Sequence, residues 1–206
     1  MNKMKILRVI TILFTTVLVS CSSDDDGNTN QIEQRQFGIF KVLDNDTTIE
    51  MDGTIGSSSL DDFNNLEAEF PNVDRIQIKN CDGSSDDTIN LQLSLKVHQK
   101  GMNIRLMDNG LIASGGVDFF LAGIQRTKGV NTMIGVHSWS DGSGTEATDF
   151  PVGHANHLPY INYYMNIGFS QQWAESFYYF TINAAPADSI HWMTELEITE
   201  YDILTQ

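Results

Sequence analysis

Between Arg75 and His137 the chain alternates short β-branched or aliphatic runs with segments of helical character, and a glycine cluster marks the strand-to-helix junctions. Strands are expected over Arg75 to Lys79, Asn103 to Leu106 and Val130 to Val136, and helices over about Asp86 to Lys100 and Ser114 to Ala122. That alternation predicts βαβ units and a largely parallel sheet, a far narrower choice than hydrophobic content alone would leave. The junctions are Cys81-Asp82-Gly83-Ser84-Ser85 and Ser114-Gly115-Gly116.

Upstream, Gln36 to Leu43 and Thr47 to Met51 read as two strands around the turn Asp44-Asn45-Asp46. Ser57 to Phe70 carries Leu60, Phe63, Leu66 and Phe70 near helical spacing behind a serine cap, and Pro71 ends it. Downstream, residues 138–153 are rich in Gly, Ser, Thr and Asp and read as a loop. Leu158 to Phe169 and Gln171 to Ala185 read as helices heavy in Tyr and Phe, and the tail from Asp188 to Leu204 is expected to pack back on the sheet.

The first residues do not belong to that domain. Lys3, Lys5 and Arg8 precede an apolar run from Ile10 to Val19, too short for a permanent membrane helix and arranged as a secretory leader. Leu18-Val19-Ser20-Cys21 is similar to a bacterial lipobox, which implies cleavage after residue 20 and acylation of Cys21. Acyl chains contribute about 0.8 kcal/mol per buried methylene, so the expected location is the cell envelope, at the outer membrane or the cell surface. Residues 22–34, polar and acidic at their start, form the expected tether, and residues 35–206 the single domain.

Three of the 12 basic residues lie in the leader, which leaves nine Lys and Arg against 27 Asp and Glu, a formal charge of −18. Such a surface disfavours nucleic acid as a partner. With Cys21 acylated, Cys81 is the one remaining thiol, so an intrachain disulfide is excluded and Cys81 reads as a buried core residue.

Ser114 and His137 are 23 residues apart, enough for a helix, a turn and a strand to bring a hydroxyl to an imidazole. Read alone, Ser114 is better explained as an ordinary helix N-cap. The glycines decide what surrounds it: backbone amides at Gly83 and Gly115 can face a developing oxyanion with no side chain in the way. Asp118, four residues on, reads as a helix-surface carboxylate or as pocket lining. His98 reads as solvated, and His191 with Trp192 as an aromatic corner. His154 and His157 form an H-x2-H pair without the further Cys/His pair a zinc site needs, so no metal is expected. The tyrosines and phenylalanines of 160–180 read as core or subunit interface.

This frame resembles the Clp protease proteolytic subunit and the wider crotonase-like superfamily. Asp82-Gly83-Ser84 matches the family's oxyanion turn, Ala113-Ser114 with Ala122-Gly123 its serine helix, and Gly135-Val136-His137 its histidine strand. The resemblance spans about residues 75 to 137. It implies an α/β domain of ββα-type units, a serine hydrolase acting on peptide or other acyl substrates, and no cofactor. By the same resemblance Ser114 is the nucleophile, His137 the base, and Gly83 and Gly115 the oxyanion hole. Asp188 is the carboxylate nearest the family's third position, though its offset from Trp192-Met193-Thr194 differs. A Ser-His dyad, a homo-oligomer, and a non-catalytic binding lipoprotein that retains the fold are the open alternatives.

Overall fold

The computed structural model describes residues 35–205; the leader, Cys21 and the acidic tether lie outside them. Among these residues the order is β1 (Gln36–Phe37), β2 (Phe40–Val42), β3 (Thr48–Asp52), α1 (Ser59–Glu69), β4 (Arg75–Cys81), α2 (Asp87–Gln99), β5 (Asn103–Ala113) and α3 (Gly115–Leu121). Then follow β6 (Arg126–Lys128), β7 (Met133–Val136), two short 3₁₀ turns, α4 (Leu158–Asn166), α5 (Gln171–Ala184), β8 (His191–Trp192) and α6 (Glu195–Glu200).

One sheet runs β1-β2-β3-β4-β5-β7-β8, with β6 beside the first half of β5. The pairings from β3 to β7 are parallel, and those at both ends of the sheet are antiparallel. The expected α/β fold is therefore present. The expected first strand is broken into two because Gly38 takes φ 56° and starts a two-residue hairpin turn, a conformation that glycine adopts without strain. At α1 the expected serine cap is absent: Ser58 makes no capping bond, and its hydroxyl reaches Asp62 instead at 3.0 Å.

The largest departure lies in β5. The strand expected over Asn103 to Leu106 continues through Asp108-Asn109-Gly110 to Ala113, with a bulge. Ile78 pairs with Leu106 and Asn80 with Leu111, so β5 has three more residues than β4 over that interval. Asn109 at φ 58° makes the bend, and at Gly110 a Cβ would sit 2.8 Å from the Lys79 carbonyl. Beyond the bulge β5 leaves β6 for β7, which sets Ala113 opposite Gly135. This re-aiming carries Ser114 to its position.

The core lies between the sheet and its helices. In α2 the buried face is Asn90, Leu93, Ser94 and Val97, at i, i+3, i+4 and i+7, rather than the alternating apolar positions that stand out in the sequence. Every residue of α3 is buried. His98, expected to be solvated, is half-buried, with Nδ1 3.0 Å from the Ala122 carbonyl oxygen. The tail does pack back: β8 pairs with β7, and buried Arg126 donates to the carbonyls of Gly123, Asp202 and Ile203 at 2.9, 3.0 and 2.8 Å. No helix among the described residues is long and apolar enough to cross a membrane.

Candidate active site

Two adjacent parallel strands, β5 and β7, end together, and the residues just past them line one cavity. Ser114 follows β5 directly, and its amide donates to the Gly135 carbonyl at 3.0 Å, pinning it to the strand that ends one residue before His137. Ser114 has φ 53° and ψ −131°, outside the ordinary regions for a residue with a side chain. Such a backbone costs about 1 to 3 kcal/mol and persists only where the surroundings enforce it. Here they do. The Ser114 carbonyl accepts from Val117 N at 2.8 Å, and α3 is pressed so tightly that a Cβ on Gly116 would lie 2.5 Å from the Cys81 carbonyl oxygen.

Gly115 is equally enclosed: its carbonyl accepts from the buried Asn90 amide at 3.0 Å, and a Cβ there would lie 2.8 Å from that same nitrogen. The glycine pair is thus required by packing, a reason distinct from the exposed amides that the sequence suggests. Ser114 makes no side-chain capping bond, so its hydroxyl is not used to hold the helix.

The preceding junction comes up against it. Gly83, at φ 147°, accepts from Ile55 N at 3.0 Å, and a Cβ on it would sit 3.1 Å from Ser114 Cβ and 3.5 Å from Ser114 Oγ. A side chain at 83 would therefore fill the space beside the hydroxyl. The Gly115 amide donates to no protein acceptor among the described residues, whereas the Gly83 backbone also lies against the Cys81 thiol, whose Sγ is 3.6 Å from the Gly83 carbonyl oxygen. Cys81 is buried, and desolvation pushes its thiol up to about 12, consistent with a core role.

His137 lines the cavity with Ser114, Gly115, Val117, Asp118, Val136 and Ile182, but no direct hydrogen bond joins its ring to Ser114 Oγ. Its Nδ1 is buried and has no partner among the described residues. β8 starts at His191, which pairs with Val136, and Ile190 before it packs at Gly135, where a Cβ would lie 2.5 Å from Ile190 Cγ2. Asp188 is exposed, two residues farther along, and is not among the cavity-lining residues. The geometry brings Ser114, His137, Gly83 and Gly115 together and does not join Asp188 to them.

Two carboxyl groups do reach the cavity, from helices. Asp118 is buried rather than on the helix surface; its Oδ1 accepts from the Tyr164 hydroxyl at 2.5 Å and its carbonyl from Tyr163 at 2.7 Å. Burial raises its pKa to about 7, the Tyr164 hydrogen bond working against that rise and nearby Asp87 adding to it. Asp87, at the start of α2, accepts from the hydroxyls of Ser84 and Tyr160 and so ties the Gly83 turn to α4. Asp87 and the tyrosines carry no local signature that places them here. For Asp118 the i+4 spacing from Ser114 is the available signal.

The remaining candidates belong elsewhere. His157 is buried with Nδ1 2.8 Å from the Tyr178 hydroxyl, and His154 stacks on Phe150, so the H-x2-H pair is part of an aromatic cluster. No group of three or more His, Cys, Asp or Glu among the described residues could hold a metal ion. His191 meets Glu197 at 3.0 Å, beside the capping box of Thr194 and Glu197 that starts α6.

With the geometry established, solved structures offer a comparison. ClpP1 from Listeria monocytogenes is similar at a TM-score of 0.50 and 16% identity, covering 78% of this chain and 89% of that one. A mutant of the same protein gives 0.52 and 16%, covering 78% and 90%. A mutant of the 1510-N membrane-bound stomatin-specific protease, in complex with a substrate peptide, gives 0.50 and 20%, covering 75% of this chain and 71% of that chain. No protein-family model and no curated protein matches. At these identities the likeness speaks for the fold, which is ClpP-like.

Proposed function

We propose that this ClpP-like domain is a serine hydrolase that cleaves peptide or related acyl bonds, with Ser114 as nucleophile, His137 as general base and the Gly83 and Gly115 amides as oxyanion donors. The observation that carries the reading is Ser114 itself: a non-glycine residue held at φ 53° between a parallel strand and a buried helix, its hydroxyl spared from capping, beside Gly83 and in one cavity with a histidine. Strain at a strand-to-helix turn is the device by which hydrolases expose a serine. The solved protease that holds a substrate peptide supports a peptide as the substrate class.

In this mechanism a carbonyl carbon enters above Ser114 Oγ, and the approach closes the gap to His137, which takes the hydroxyl proton as the C–O bond forms. The carbonyl oxygen, now carrying the charge, turns to the Gly83 and Gly115 amides, each worth about 2.7 to 4 kcal/mol in comparable sites. His137 returns its proton to the leaving group, and water then releases the acyl group by the same steps. With His137 Nδ1 left without a partner among the described residues, the pair acts as a dyad. A lipid on Cys21 would hold the domain to the envelope, its acidic tether standing it off the surface.

A fluorophosphonate probe tests the chemistry. We expect covalent labelling of the full chain and its loss in Ser114→Ala, read by mass spectrometry. A folded, unreactive wild type would instead favour the second reading, a binding lipoprotein, whose supporting observation is the unpartnered His137 Nδ1. Incorporation of a palmitate analogue that disappears in Cys21→Ala checks the anchor.

A further inference from the structure

The cavity beside Ser114 holds two carboxyl groups and not one Lys or Arg. Asp87 has both oxygens engaged, one by Ser84 and one by Tyr160. Asp118 does not. It is 8% exposed, its Oδ1 is taken by Tyr164, and its Oδ2 accepts from no described residue. Yet Oδ2 is not sealed away from solvent, so it is the free edge that this carboxyl offers to the cavity.

Around that edge the wall is aromatic and apolar. Tyr160 stacks between Trp139 and Tyr178, with ring centroids 6.4 and 5.5 Å away, while Val117, Val136 and Ile182 supply aliphatic surface. An ammonium reaching Oδ2 would supply the donor that this oxygen lacks and would offset the desolvation that raises the Asp118 pKa. An anionic group would meet Asp87 and Asp118 with no basic residue to offset them.

We infer that this cavity recognises a primary ammonium on an aliphatic stem, as in a lysine side chain, with Asp118 Oδ2 as its acceptor and the Tyr160 and Tyr178 rings beside it. The assignment rests on the hydrolase reading for its meaning as substrate selectivity, but ammonium binding can be measured apart from catalysis. Asp118 faces Asp87 from α2, His137 from the end of β7, Tyr160 and Tyr164 from α4 and Tyr178 from α5. His137 is the one among these able to carry positive charge. An arriving ammonium stabilises the ionised Asp118, so binding strengthens as pH rises through about 7.

The test uses Nα-acetyl-lysine methylamide and its uncharged norleucine counterpart, titrated calorimetrically into the full chain carrying Ser114→Ala. At pH 8 we expect the lysine ligand to bind at least about tenfold more tightly, as a charged hydrogen bond predicts. Adding Asp118→Asn should erase that preference, whereas Tyr164→Phe, which leaves the charge in place, should keep it. A pH series on the Asp118-containing chain covers the event that Asp118→Asn fails to fold: the lysine preference should shrink from pH 8 to pH 6. Equal binding of the two ligands at pH 8 overturns the assignment, even if the fluorophosphonate labels Ser114. Selective lysine binding with no labelling would leave the pocket standing and remove the hydrolase.

Discussion

The two strand-to-helix junctions that meet at the cavity are built on opposite principles. At the start of α2, Asp86 is extended at φ −147° and its side chain accepts from Ile89 N at 3.1 Å, an ordinary N-cap. At the start of α3, Ser114 occupies the same position with φ 53°, and its hydroxyl caps nothing. The first junction is stable through local hydrogen bonds. The second is held by its neighbours, through Gly83, Gly115, Gly116 and the Ser114–Gly135 bond. A strained residue of that kind belongs where its side chain is wanted for something other than stability.

Substitutions can break or sharpen that contrast. The largest effect is expected from Gly116→Ala, because the new methyl would meet the Cys81 carbonyl at 2.5 Å, backbone that cannot swing away. We expect a loss of about 3 kcal/mol by urea denaturation, the upper range for overpacking. Next is Gly83→Ala, whose Cβ would lie 3.1 Å from Ser114 Cβ at a φ of 147° that alanine resists. Under the proposed mechanism fluorophosphonate labelling should slow by about a hundredfold or more, through displacement of one oxyanion donor.

Asp118 separates the junctions by pH. Its pKa of about 7 in the folded chain stands above the value near 3.9 of an unfolded aspartate, so between these limits the folded chain holds a proton that the unfolded chain has lost. Folding stability from this group is therefore greatest at low pH and declines as pH rises toward 7, by up to about 1.4 kcal/mol per unit. Urea midpoints of wild type relative to Asp118→Asn, taken from pH 4.5 to 6.5, should show the wild type losing ground; a constant difference would contradict the burial argument.

The smallest effects have opposite signs. Asp86→Ala should cost about 1 kcal/mol as a lost cap, while Ser114→Gly should gain about 1 kcal/mol by relieving the backbone and should abolish labelling. If both destabilise equally, the two junctions do not differ as described.

Much of this organisation is legible in the residues. Strand β4, the extents of α2 and α3 to within a residue or so, and the return of the tail follow from runs and punctuation whose causes are local. What escapes is set by distant partners. Asp108-Asn109-Gly110 has the composition of a break, and only pairing with both β4 and β7 makes it a bulge within β5. Arg126 to Lys128 is a strand because β5 lies beside it. Asp188 is the nearest acid to the family's third position in sequence, but it is exposed and outside the cavity that His137 lines.

Read in order, the residues specify an α/β chain with glycines at two strand-to-helix junctions and a serine and a histidine at the ends of two strands, since periodicity and turn chemistry are properties of neighbours along the chain. Tertiary structure alone decided the strained backbone of Ser114, the orphaned nitrogen of His137, and the buried carboxyl of Asp118 with its tyrosine partner. Each arises from atoms far apart in sequence brought within a few ångströms, where packing and desolvation act.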